Sequence, residues 1–208
     1  NQSINKKLLL ILSVGFSFAY ADQNIEIVGG NSAGNPKLAV VNFTNEDGSV
    51  SDEVTSDFKI TGEFNVLNYV SSDAVESGAQ YTISGSVSGD PVSGQMQIEY
   101  QLLNNTTNQV LLSQTAAFNK KFQRKAIHAI DDNIYKKLTN TPSAFTSKVA
   151  LAVQQGAGKY AVVLADYDGY NPKTLISMAH PITSLAWDST GNYLSYVTYE
   201  TGKPVVYV

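Results

Sequence analysis

The sequence has 208 residues, of which 43% are hydrophobic and only 15% charged, with a net charge of −4 and no cysteine. That length can bury a real core, and a charged fraction well under the roughly 25% of ordinary soluble domains excludes a disordered composition. An acidic balance argues against nucleic acid as the main partner, and the lack of cysteine excludes disulfides, thiolate catalysis, zinc fingers and iron–sulfur clusters.

In chain order, residues 1–21 read as an address. Lys6 and Lys7 form a short positive region, Leu8 to Phe18 is an apolar run, and Ala19-Tyr20-Ala21 places small residues at both positions of a cleavage site. This order defines a secretory signal peptide. An eleven-residue helix rises about 16 Å against a bilayer core of about 30 Å, so the run is too short to span a membrane. Without the two lysines, 12 basic residues face 18 acidic ones, a charge of −6. Asn1 is not a natural start and Val208 falls within a β-like run, so the sequence reads as part of a longer frame.

Ile25 to Val28 reads as a short strand and Gly29 to Pro36 as a loop. Leu38 to Phe43 is an apolar run of strand length, followed by the turn Asn45-Glu46-Asp47-Gly48. Ser49 and Asp52 resemble a capping box, Val50, Val54 and Phe58 define one helix face, and Gly62 is a stop. Alternation then predicts strands through Tyr81, Ile83 and Val87, through Met96, Ile98, Tyr100 and Leu102, and from Val110 to Phe118. Together they form an antiparallel meander with one wet face.

Asn119 to Leu138 is the strongest helix, with Phe122, Ala126, Ile130, Ile134 and Leu138 on one stripe. Lys120, Lys121, Arg124 and Lys125 crowd its first half, the unfavourable end for cations, and read as a solvated face. Thr139 to Ser143 reads as a linker. Beyond it lie short strand candidates at Lys148–Gln154, Tyr160–Ala165, Thr183–Trp187, Tyr193–Tyr199 and Val205–Val208, the pattern of a sandwich, barrel or propeller.

Catalytic signals are thin. Gly29 to Gly34 lacks the second glycine of a dinucleotide loop and precedes a strand. Asp166 to Asn171 lacks the glycine and the bidentate acid of a calcium loop and reads as a tight β-turn. His128 and His180 are the only histidines, and no G-x-S-x-G elbow occurs. His128 sits off the apolar stripe and reads as exposed or at the boundary, while Trp187 reads as a core residue of a β-blade. No cofactor or metal is expected.

Three segments carry a family resemblance. Phe122 to Val153, with His128, Asp132, Lys137-Leu138-Thr139 and Ala144-Phe145, is similar to the domain junction of the TolB family. Asp166-Tyr167-Asp168-Gly169-Tyr170-Asn171 resembles its S-D-Y-D-G-Y-N segment, and Ala186 to Thr198 resembles its A-W-S-P-D-G-x-x-L-A-Y-V-T blade motif, departing from it at Asp188-Ser189-Thr190. Gly62-Glu63-Phe64 matches a further G-x-F sequence.

The resemblance implies an α+β chain: a signal peptide at 1–21, an α/β domain with a mixed sheet and amphipathic helices at 22–142, and an incomplete all-β propeller segment at 143–208. It implies a monomeric, non-catalytic protein without enzyme chemistry: a periplasmic adaptor of the Tol–Pal envelope system, with TolA-like and Pal-like proteins as partners. The TolA-facing segment carries over to Asp22, Gln23, Asn24, Ile25, Glu26, Ile27, Val28, Gly29 and Gly30. Alternating Ile25, Glu26 and Ile27 suit strand addition to another sheet edge, and equally suit completion of the chain's own sheet. The 66 residues after Pro142 supply about one and a half blades at about 40–45 residues each. A propeller-containing secreted peptidase and a glycan- or ligand-binding module are the competing readings.

Overall fold

The computed structural model describes residues 34–75 and 78–208. The expected signal peptide, the strand at Ile25–Val28 and the segment Asp22–Gly30 lie outside the described residues. Among those described, no helix is long and apolar enough to cross a membrane.

The first part is a five-stranded mixed sheet covered by two helices. Its strands are β1 (Lys37–Val41), β2 (Asn65–Tyr69), β3 (Tyr81–Asp90), β4 (Gln95–Asn104) and β5 (Gln109–Asn119), in the order β2-β1-β3-β4-β5. β1 runs parallel to both β2 and β3, and β3, β4 and β5 form the expected antiparallel meander. The apolar residues of the alternating strands turn to one face, where Leu38, Val40, Ile83, Val87, Ile98 and Leu102 are buried. Helix α1 (Ser49–Thr61) lays Val50, Val54 and Phe58 on that face, and α2 (Gln123–Thr139) adds Ile127, Ile130 and Ile134.

Local chemistry corrects several expectations. Ser49 is not a cap: it is the first helical residue, and Gly48 precedes it in a left-handed conformation. The orphan amides are met from upstream, where the Glu46 carboxylate accepts from the Val50 and Ser51 N–H groups and Asp47 Oδ1 accepts from Ser49 N–H. Helix α2 starts later than its apolar stripe suggests, because Lys120–Phe122 form a 3-10 turn, and Phe122 is 55% exposed. Thr139 to Ser143 is no free linker, since Asp132 Oδ1 accepts from both the backbone and the hydroxyl of Ser143. Gly85 is required by a close approach: a Cβ there would lie 2.3 Å from the Phe43 ring and 2.3 Å from the Glu99 carbonyl oxygen.

The second part comprises two three-stranded antiparallel sheets. One contains β6 (Lys148–Gly156), β7 (Lys159–Asp166) and β8 (Lys173–Met178). The other contains β9 (Ile182–Trp187), β10 (Leu194–Thr198) and β11 (Val205–Tyr207). No closed ring of blades forms among the described residues. β2 and β8 have no counterpart among the expected strands. Trp187 is 41% exposed, contrary to its expected place in a blade core.

Candidate functional site

The most unusual chemistry lies where α1, α2 and the β7–β8 turn meet. A chain of aromatic rings leads to it from the core. Phe58 packs edge-on against Phe145 at 5.7 Å between centroids, Phe145 tilts against Tyr167 at 5.4 Å, and Tyr167 packs edge-on against His128 at 5.4 Å. Phe145, just beyond the Ser143 anchor, therefore ties the second part of the chain to the helices of the first.

Asp57, fully buried on α1, is the hub. His128 Nδ1 lies 2.8 Å from its Oδ2, and the Tyr167 hydroxyl donates to its Oδ1. The other ring nitrogen of His128, Nε2, faces Glu53 Oε1 at 3.4 Å. Arg124 bridges Glu53 on α1 and Asp168 in the turn, and its guanidinium lies over the Tyr170 ring, 3.9 Å from the centroid. Spacing explains the convergence. Glu53 and Asp57 are four apart on α1, and Arg124, His128 and Asp131 lie at steps of four and three on α2, so each set lines one helix face.

Asp131 is completely buried and no donor reaches either of its oxygens. Protonating Asp131 removes the repulsion between its carboxyl and the charge of Asp57. Burial, then the charge of Asp57, holds the Asp131 carboxyl well above the usual carboxylate range. Burial also raises Glu53, against the pull of Arg124. For His128, burial acts to lower its value, but the Asp57 hydrogen bond and the charges of Asp57 and Glu53 outweigh it, and the net direction is upward. The Tyr167 phenol is pushed far up by burial and by Asp57, so it serves as a donor.

Glu53, Asp57 and His128 bring donor atoms within 4.8 Å of one another, a span at which such groups also hold cations. Here the imidazole presents a different nitrogen to each carboxylate, and Arg124 already pairs with Glu53. His128 is thus neither exposed nor at a boundary; it is 4% exposed and faces acids from a helix some seventy residues earlier. Asp166 to Asn171 forms the expected turn, closed by Asp166 N–H to the Tyr170 carbonyl, but it also delivers Tyr167 and Asp168 to the cluster. Lys120, Lys121 and Lys125 are exposed, as a solvated face requires, and line a cleft of about 490 Å³ with Phe122, Lys148 and Tyr170; Arg124 instead turns inward.

The sequence signal for this cluster was a charge out of place. Asp57 lies beside Phe58 on the buried side of α1, and His128 and Asp131 sit among Ile127, Ile130 and Ile134. Ionisable residues inside an apolar stripe require partners.

Taken together, a helix-covered mixed sheet followed by short-looped, three-stranded antiparallel sheets defines a protein with an α/β layer and β-propeller-type blades. Residues 135–208 match the family model described as TolB beta propeller domain. Over 97% of its length the chain is 33% identical to the Tol-Pal system protein TolB of Nitrosomonas europaea, covering 50% of that relative. It is 30% identical to that of Haemophilus ducreyi over 97% of the chain, covering 51% of that relative. The crystal structure of TolB from Acinetobacter baumannii is 28% identical, superposes with a TM-score of 0.71, and covers 83% of this chain and 46% of that one. The chain is thus similar to TolB proteins along nearly its whole length, and it spans about half the length of the curated relatives it matches.

Proposed function

We propose that the chain is the leading portion of a non-catalytic periplasmic adaptor of the Tol–Pal envelope system, exported by a cleavable signal peptide at residues 1–21. In this reading 22–142 is an α/β domain and 143–208 the first blade or blades of a β-propeller. Asp22 to Gly30 engages a TolA-like protein, the propeller engages a Pal-like lipoprotein, and the link supports outer-membrane integrity and constriction at division. The adaptor acts as a monomer and without a cofactor.

The observation that carries this reading is the extent of the likeness: it runs through the helix-covered sheet and the blade-type sheets alike, over 97% of the chain. The chemistry of the site agrees with it. The buried cluster joins two parts of the chain and presents no activated nucleophile, since its hydroxyl, on Tyr167, is held as a donor to Asp57. A short extended terminus adding to a partner's sheet edge gains backbone bonds for affinity and alternate side chains for specificity. The test uses the full-length protein. Deleting Asp22–Gly30 is expected to abolish capture of TolA and leave capture of Pal intact. Undiminished TolA capture by the deletion variant overturns the assigned segment, and failure of the intact protein to bind either partner overturns the adaptor reading.

A further inference from the structure

We infer that the contact between the two helices and the β7–β8 turn is a proton-held clasp, closed with His128 as imidazolium and Asp131 as a neutral acid, and weakened when those protons leave. The charge balance of the interface carries this. From α1, Glu53 and Asp57 face His128; from α2, Arg124 and Asp131; from the turn, Asp166, Tyr167 and Asp168; and from β6, Lys148, which pairs with Asp166. With His128 neutral and Asp131 ionised, five carboxylates share two cations, Arg124 and Lys148. Burial denies most of them water, and unbalanced buried charge is costly. Protonating both residues leaves four carboxylates facing three cations.

Geometry selects the same state. A neutral imidazole donating to Asp57 through Nδ1 would set the lone pair of Nε2 against Glu53 Oε1 at 3.4 Å, whereas an imidazolium donates to Asp57 and brings positive charge to that second contact. An ionised Asp131 leaves two fully buried, charged oxygens without a donor, whereas a neutral Asp131 places no buried charge beside Asp57. Asp57 accepts from two groups, His128 and Tyr167.

The sign of the linkage follows. His128, Asp131 and Glu53 are all shifted upward in the folded chain. A group with a raised folded value contributes its stability below its unfolded value and loses it as pH rises through the folded one. The clasp is therefore strongest on the acid side and weakens toward alkaline pH, the reverse of a salt-bridged acid.

The experiment is the thermal midpoint of the chain as a function of pH, between about pH 5.5 and about pH 8.5, with a direct readout of the His128 ring by NMR. The midpoint is expected to fall with rising pH by on the order of 3 °C per pH unit for one linked proton. Asp131→Asn, which keeps the shape of the side chain and does not titrate, is expected to flatten the profile and raise its alkaline end. His128→Asn is expected to flatten it by lowering the acid end. The ring signal of His128, assigned by its loss in that variant, is expected to keep the imidazolium form beyond the ordinary midpoint of about pH 6.5. A His128 midpoint at or below that value, or a profile left unchanged by Asp131→Asn, overturns the clasp. Zinc ion that raises the midpoint of the parent chain but not of His128→Asn also overturns it, because the cluster would then be held by a metal.

Discussion

The two parts of the chain are built from similar alternating strands, yet they close their cores differently. In the first, α1 and α2 cover one sheet face, and Phe58, Leu38, Ile83, Ile98, Leu102, Ile127 and Ile134 are each less than 2% exposed. In the second, the buried apolar residues are few, with Ala161, Val162, Ala165 and Ile182 among them, while Leu151, Leu175, Trp187, Tyr193 and Val206 stand open. A sheet that carries its own helices satisfies itself locally. A blade-type sheet has two apolar faces and depends on neighbouring blades for burial.

That contrast breaks first at Phe58. Phe58→Ala should remove about 3–5 kcal/mol of stability, the cost of a large cavity in a core that cannot collapse around it, read as a lowered denaturation midpoint. An unchanged midpoint would show that the first part does not hold a locally closed core. Gly85→Val tests the same core from the opposite direction. The added side chain meets the Phe43 ring and a β4 carbonyl, so a loss of about 1–3 kcal/mol is expected from overpacking.

The next effect sits at the join of the two parts. Tyr167→Phe deletes one donor to the buried Asp57 while keeping the ring packed between His128 and Phe145. A loss of about 1–2 kcal/mol is expected, and a greater loss in Asp57→Ala would confirm Asp57 as the hub. Glu46→Ala leaves two amides of the first turn of α1 without their acceptor and should cost about 1 kcal/mol, measurable in the same denaturation series.

Much of the first part was legible because its periodicities are clean. Ile98, Tyr100 and Leu102 alternate with polar residues, and Val50, Val54 and Phe58 recur at helical spacing; both patterns fall where the structure buries them. β2 was not legible because Asn65-Val66-Leu67-Asn68-Tyr69 shows no alternation and buries fully only Val66. β8 was hidden for a related reason: Leu175 and Ile176 are adjacent, and neither is fully buried. The polar cluster was missed because its partners are distant in sequence. Nothing local to His128 announces Asp57, which reaches it only when α1 and α2 pack side by side. The turn at Asp166 to Asn171 was legible as a turn, but its second task, carrying Tyr167 and Asp168 to the helices, depends on the same packing.

The smallest expected effect is the sharpest test of the comparison. Leu175 is an aliphatic residue on a strand, as Ile83 is, and sequence alone does not rank them. Leu175 is 44% exposed on β8 and Ile83 is fully buried on β3. Leu175→Ala in this chain should therefore change stability by less than about 0.5 kcal/mol, as surface substitutions do. In a longer form of the protein, where a neighbouring blade covers that face of β8, the same substitution should cost about 2–3 kcal/mol. Running it in both contexts measures how much of a blade's core is supplied by its neighbour. Equal small losses would show that β8 faces solvent in the longer protein as well, and equal large losses would show that the side chain is buried within the 208 residues themselves.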